Sequence, residues 1–339
     1  MLQELQIGGT SPLSSQASGP EERLTAVGGS VTMILCCGEA LIDFLPRAGA
    51  DGKVLFEPSA GGSIYNVAIA LGRLGVAAGY FGGLSSDLFG EMLREGLRRS
   101  GVDSSMAPVS DRPSTLAFVK LENGNARYAF FDEGSAGRML TAADLPRLPA
   151  SIKALHFGSF SLASEPCGSA YEALLTRESG RGVIALDPNI RPTLIGDRAA
   201  YMARLGRCVA LADIVKLSED DLTWLAPGTS FEALAADWLA RGAKLIVLTR
   251  GASGASAISA NASASMQARP VTVADTVGAG DTVSAALLAN FAERGLLTKE
   301  KIAALTRNEL TAALDFATRA AAIAVSRPGA DPPWRRELA

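Results

Sequence analysis

From Met33 onward, short apolar runs alternate with amphipathic segments, and this alternation limits the possible folds more than any other feature of the chain. The strand-like runs are Ile34–Gly38, Ala77–Gly82, Ala154–Phe157, Val183–Asp187, Ile214–Leu217 and Leu245–Thr249. Runs this short and this continuously apolar suit strands buried on both faces. Helix-like segments lie between them. Asp87 is placed to N-cap Leu88–Arg99, with Leu88, Met92 and Leu93 on one face and Gly101 just beyond the end. Ser230 is placed to cap Phe231–Ala240, where Phe231, Leu234, Trp238 and Leu239 recur at helical spacing. Alternating βα units predict an α/β fold, a mainly parallel sheet covered by helices on both faces.

One stretch breaks the alternation. Ser114–Leu121 and Ala126–Phe131 are strand-like runs around Glu122-Asn123-Gly124-Asn125, a hairpin signal, and Val54–Glu57 reads as a further strand. Together they predict a small β-sheet, from about residues 44–58 and 110–134, that forms a lid over a cleft. Residues 1–32 are rich in Gly, Ser, Thr and Pro, without periodicity and without the features of a secretory signal. They read as a disordered leader or as a non-native extension before Met33, two readings that stay open; residues 33–339 read as a single domain.

Composition excludes several classes. The chain is 48% hydrophobic and 20% charged, too apolar for a wholly disordered protein. Its net charge of −3 argues against a strongly basic nucleic-acid binder. No run of apolar residues is long enough for a membrane span. Cys36, Cys37, Cys167 and Cys208 form no CxxC and read as reduced core thiols of a cytoplasmic protein. The single histidine, His156, rules out a two-histidine metal face and lies within a core strand, where a structural role is expected. There is no P-loop, no complete dinucleotide fingerprint and no nucleophile elbow.

The strongest local signal is Asp275-Thr276-Val277-Gly278-Ala279-Gly280-Asp281, which runs straight into the apolar segment Thr282–Leu288. Small residues free the amides of Gly278, Ala279 and Gly280 to point at an anion, and a helix N-terminus adds its dipole. A carboxylate beside a phosphate-sized hole is placed to deprotonate a hydroxyl that attacks phosphorus. The simpler alternative for Asp281 is an N-cap after a Gly-rich turn.

This block resembles the C-terminal signature of the PfkB family of carbohydrate kinases, with the ribokinase-like fold. Ala60-Gly61-Gly62-Ser63-Ile64-Tyr65-Asn66-Val67-Ala68 resembles the N-terminal signature. Gly38–Asp43, Leu186–Pro192, Thr249-Arg250-Gly251 and Val325–Ala330 look like bacterial fructokinases of that family. The resemblance runs from about Met33 to Trp334. It implies a three-layer sandwich with a mainly parallel central sheet and a small β-sheet lid. It implies Asp281 as catalytic base, with Gly278, Ala279 and Gly280 as the anion hole. It implies Asp43, Gly61, Gly62, Asn66 and Arg191 at the sugar, and Asn189, Ser218, Thr249 and Gly251 at the nucleotide. The family's metal-organising NxxE motif falls on Ser218–Asp221, where Ser replaces Asn and the shorter Asp221 replaces Glu; Asp221 is expected to reach Mg²⁺ through water. Ile64 and Ser85 also depart from the first signature.

The expected function is an ATP- and Mg²⁺-dependent sugar kinase that converts D-fructose to fructose 6-phosphate. A monovalent cation, K⁺, is expected near Asp275. The alternatives within the family are a 2-keto-3-deoxygluconate kinase, for which Arg112, Arg127 and Arg191 could meet the substrate carboxylate, then a ribose or nucleoside kinase. From another class comes a catalytically silent sugar- or nucleotide-binding regulator. The expected partners are a small-molecule sugar and ATP, with no nucleic acid and no membrane; a homodimer through the lid sheets is a further expectation.

Overall fold

The computed structural model describes residues 32–338 except 50, 52, 123 and 124. The expectation for residues 1–32 therefore lies outside the described residues apart from Thr32, as does the turn at Asn123-Gly124. In chain order the first half holds β1 (Met33–Cys37), β2 (Leu41–Ala48), β3 (Val54–Gly61), α1 (Ser63–Arg73), β4 (Ala77–Phe81), β5 (Leu84–Ser85), α2 (Leu88–Arg99), β6 (Val102–Asp103), β7 (Val109–Ser110), β8 (Thr115–Glu122), β9 (Asn125–Phe131) and β10 (Ile152–Gly158). The second half holds α3 (Cys167–Glu178), β11 (Val183–Asp187), α4 (Arg198–Leu211), β12 (Ile214–Ser218), α5 (Glu219–Leu225), α6 (Phe231–Arg241), β13 (Leu245–Thr249), β14 (Ala255–Ser259), β15 (Ser263–Met266), α7 (Ala279–Glu293), α8 (Lys299–Ala303) and α9 (Arg307–Val325).

Among the described residues the main sheet has the order β15-β14-β13-β12-β11-β10-β1-β4-β6. It is parallel from β13 to β6, with β14 and β15 antiparallel at one edge. Each apolar run serves two cores through the period-two alternation of a strand. Ile34 and Cys36 enter the core shared with α1, α7 and α9, and Leu35 and Cys37 the core shared with α3, α4 and α6. Leu245 and Val247 face the first core, Ile246 and Leu248 the second. The helix α7 is apolar nearly all round because it is buried from Asp281 to Ala289. All four cysteines are free and buried, and among the described residues no helix is long and apolar enough to cross a membrane.

The small sheet has the order β3-β2-β8-β9, with β2 and β8 parallel and the other pairs antiparallel. Its strands reach from Leu41 to Gly61 and from Thr115 to Phe131. One face carries Leu41 and Ala117, which pack with Phe130 and Phe160. The opposite face carries Phe44 stacked on Phe118 at 4.6 Å, with Phe56 and Phe131 edge-on to Phe118.

The helix α2 starts where expected, with the Asp87 side chain accepting from the Gly90 N–H, but it turns a different face inward. Leu88 is 69% exposed and Met92 38%, whereas Gly90, Leu93 and Leu97 are buried. The reason is close approach. A Cβ on Gly90 would collide with the Ser85 carbonyl, and one on Gly96 with the Tyr65 hydroxyl, so the glycines set the contact face. A pattern of apolar residues does not record that.

Candidate active site

The small sheet and the carboxyl ends of β11, β12 and β13 border a cleft of about 890 Å³, the usual place for a ligand in an open α/β sheet. Asp43, Gly62, Asn66, Asn189, Arg191, Ser218, Asp221, Thr249, Gly251 and residues 278–281 line it. Gly61 and Asp275 stand outside that lining. Glu39, Ser63 and Lys216 line it too, although the sequence had not marked them as functional.

The N-terminus of α7 forms one end. Gly278 is the N-cap, with left-handed φ 74° and no side-chain cap bond. A Cβ there would stand 2.8 Å from Ala330 Cβ, so the turn needs glycine twice over. Ala279 donates its N–H to Thr276 O at 3.2 Å, so that amide of the expected anion hole is already engaged. Gly280 and Asp281 lie in the first turn, where backbone N–H groups lack intrahelical partners.

Asp281 is not the N-cap but the third residue of α7, and it is buried. Oδ1 accepts from Ser63 Oγ at 2.6 Å and Oδ2 from Asn66 Nδ2 at 2.9 Å. Asn189 Nδ2 stands 3.5 Å from Oδ1. Burial raises its pKa above the ordinary carboxylate value and the neighbouring Asp187 adds to that, while the Ser63 and Asn66 hydrogen bonds and the Lys216 charge oppose it. Asn66 lies inside the first turns of α1, whose N-cap is Gly62, and one N–H of its amide goes to Asp281.

Asp43 occupies the cleft side of β2. A Cβ at Gly61 would stand 2.5 Å from its Oδ2, so the glycine makes room for this carboxylate. Burial pushes its pKa up to about 6, and the charge of Arg191 acts against that. Arg191 Nη1 donates to Asn189 Oδ1 at 2.7 Å. Asn189 follows Asp187-Pro188 in a turn and holds φ at 38°.

Glu39 is a buried carboxylate in the β1–β2 connection. Its Oε1 accepts the N–H groups of Ser63 and Ile64 at 3.0 and 3.4 Å, and its Oε2 accepts Ser161 Oγ at 2.6 Å. It complements the positive end of α1, and burial pushes its pKa up to about 7. Lys216 points from β12 toward α7, with Nζ 2.8 Å from Asp187 Oδ2. Ser284 Oγ donates to the same oxygen at 3.1 Å. The signals for both were present: a lysine inside Ile214-Val215-Lys216-Leu217 and a glutamate between two apolar runs. Neither class is buried without partners.

Ser218 and Asp221 form the capping box of α5. Asp221 accepts from Ile190 N–H at 2.7 Å on Oδ1, and from Ser218 N–H and Oγ at 2.9 and 2.7 Å on Oδ2. Thr249 Oγ1 donates to Leu217 O at 3.4 Å, and Gly251 takes φ 49° in the loop that follows. Asp275 ties two segments together, accepting Val277 N–H at 3.0 Å and Gly329 N–H at 2.9 Å. His156 is buried away from the cleft; burial lowers its pKa to about 3, so it is neutral at pH 7.

A family model described as pfkB family carbohydrate kinase matches residues 31–336. A fructokinase of Rhizobium leguminosarum bv. trifolii is 54% identical over 278 residues, 82% of this chain and 85% of its own length. The crystal structure of a fructokinase with bound ATP from Xylella fastidiosa superposes with a TM-score of 0.83 at 28% identity, covering 90% of this chain and 96% of that one. A fructokinase of Vibrio cholerae O395, solved with fructose, ADP and calcium ion bound, superposes with a TM-score of 0.76 at 28% identity, over 89% of this chain and 95% of that one.

Proposed function

We infer what the chain does from one premise: it belongs to the pfkB family of carbohydrate kinases. Its fold is ribokinase-like. It is a phosphotransferase that moves the γ-phosphoryl group of ATP to a sugar, and the acceptor is D-fructose, which leaves as fructose 6-phosphate. The relative at 54% identity is named a fructokinase, and the Vibrio cholerae fructokinase binds fructose and ADP in its solved structure. The observation that carries the reading is Asp281 itself. A buried carboxylate, held at both oxygens, lies in the first turn of a helix whose N-terminus opens into the same cleft as Asp43.

The chemistry follows from these positions. Asp281 takes the proton of the sugar hydroxymethyl group as its oxygen bonds to phosphorus and the bond from phosphorus to the β–γ bridging oxygen breaks. The first turn of α7 presents N–H groups and the positive end of its dipole to the charge on the phosphoryl oxygens. Arg191 adds a cation at the cleft wall. Asp43 accepts hydrogen bonds from sugar hydroxyls. The small sheet serves as the lid: its Leu41, Tyr128 and Phe130 line the acceptor end and would exclude water, a competing acceptor.

Mg²⁺ is the metal we assign, and when bound it neutralises the nucleotide phosphates. Among the described residues there is no cluster of three or more ligating side chains. This fits an ion that takes one or two carboxylates and keeps its waters and phosphates. Asp220 and Asp221 line the cleft and would hold it, Asp221 through water because its oxygens already serve Ile190 and Ser218. K⁺ beside Asp275 belongs to the same proposal; activity indifferent to replacing K⁺ by tetramethylammonium would remove it. A cytoplasmic location fits the ATP requirement and the four free thiols.

A homodimer through the outer face of the lid is the finer part of this reading. Phe56 is 45% exposed and Phe131 60%, on a sheet face rich in aromatic rings. Phe131→Glu should convert the dimer to monomer in sedimentation velocity, and a wild type that sediments as a monomer would sink the dimer.

The deciding experiment measures ADP release with ATP and Mg²⁺ across fructose, ribose, 2-keto-3-deoxygluconate, adenosine and a hexose phosphate. Fructose should give the highest kcat/KM. Faster turnover of another acceptor, or no turnover with any, overturns the assignment.

A further inference from the structure

Ser63, the first residue of α1, is 8% exposed. Its backbone N–H is fastened to Glu39 Oε1 at 3.0 Å, and Glu39 is fixed in turn by Ser161. Its hydroxyl has two partners, Asn189 Nδ2 at 2.7 Å and Asp281 Oδ1 at 2.6 Å. The identity of these groups fixes the direction of both bonds. A carboxamide NH₂ only donates, so Asn189 uses the hydroxyl oxygen as acceptor, and the one hydroxyl proton goes to Asp281. The orientation of the Asn189 amide is itself set, because its Oδ1 accepts from Arg191 Nη1 at 2.7 Å. The backbone of Asn189 is left-handed, with φ 38°.

We propose that Ser63 is a positioning residue for phosphoryl transfer, which orients Asp281 Oδ1 and holds that carboxylate in the charged, proton-accepting form. The proposal rests on the kinase reading above. The physical need is plain: Asp281 is buried, and burial favours the neutral acid, which cannot act as a base. Of the charged groups around it, Asp187 on β11 pushes the same way, Lys216 on β12 pushes against it, and Glu39 reaches it only through Ser63. A hydrogen bond from a hydroxyl to an anion is among the stronger kinds. Ser63 touches neither the phosphoryl group nor the sugar in this role; it acts through Asp281.

The test uses the full chain and the variants Ser63→Ala, Ser63→Thr and Asn189→Ala. For Ser63→Ala, kcat should fall by about tenfold or more, while KM for fructose and for ATP stays within about twofold. The acid limb of kcat should move up by about one pH unit, the worth of one lost charge-assisted hydrogen bond. Ser63→Thr, which keeps the hydroxyl, should restore most of kcat. Asn189→Ala leaves α1 untouched but frees the hydroxyl to turn, and should give a smaller shift of the same sign. The Asp281 carboxyl is also titrated directly by ¹³C NMR, with Asp281→Asn to assign it. This readout needs no turnover. An Asp281 carboxyl that titrates at the same pH in wild type and Ser63→Ala overturns the proposal, as does a loss confined to KM. A wild type inactive on fructose would instead overturn the acceptor and leave the titration readable.

Discussion

Lys216 and Asp187, on adjacent parallel strands, form a buried ion pair at 2.8 Å beneath the first turn of α7. The helix can lie this close because residue 280 is glycine: a Cβ there would stand 2.9 Å from Lys216 Nζ. Removing one member of such a pair strands the other charge. Lys216→Met should therefore cost about 3–5 kcal/mol in urea unfolding. The double change Lys216→Met with Asp187→Leu should recover most of that loss. A single variant within about 1 kcal/mol of wild type would show that the pair is not desolvated.

The charge on Asp281 should be worth a large factor in rate and little in binding. Asp281→Asn is expected to lower kcat by about 10²–10⁴ while calorimetry still detects fructose binding. Comparable turnover by wild type and variant would remove the base from the mechanism.

The pH dependence of acceptor binding should report Asp43. Its pKa is pushed up to about 6 by burial, against the Arg191 charge. The ionised carboxylate is the better acceptor for sugar hydroxyls, so KM for fructose should fall as pH rises through about 6 and stay flat in Asp43→Asn. Gly61→Ala pushes a methyl into the space of the same carboxylate. It should raise KM for fructose about tenfold or more and leave KM for ATP unchanged, a split corresponding to about 1.4 kcal/mol.

Glu39 should shape stability rather than binding. Its pKa rises from 4.5 to about 7 in the folded protein because it is buried. Between these values the folded state holds more protons than the unfolded one. The stabilisation is therefore complete below pH 4.5 and is lost as pH rises through about 7. Urea midpoints measured across this range should fall less steeply in Glu39→Gln. An equal slope in both proteins would contradict the assignment.

Most of the sheet was legible in the sequence because a strand buried on both faces writes a continuous apolar run. Val183–Asp187 and Leu245–Thr249 were read to the residue. The face of α2 was not, since Gly90 and Gly96 do their packing by lacking a side chain. The motif residues of the site were legible as types in order. Their partnerships were not: Ser63 and Asp281 are 218 positions apart, and only the packing of α1 against α7 brings them together. Lys216 stayed hidden for a similar reason. It reads as one polar interruption of a strand until the β11–β12 register puts Asp187 beside it.

The turn at Gly278 has a consequence in the order of synthesis. Its glycine packs against Ala330, and Asp275 at its start receives the Gly329 N–H. Asp331 is anchored in turn to Arg73 on α1. A growing chain that has emerged only as far as α9 already carries Asp43, Asn66, Arg191 and Asp281, yet lacks the Gly329 and Ala330 contacts that brace the turn. The turn that opens α7 is thus completed by residues about fifty positions further along the chain, and it takes its final shape only once they have been made.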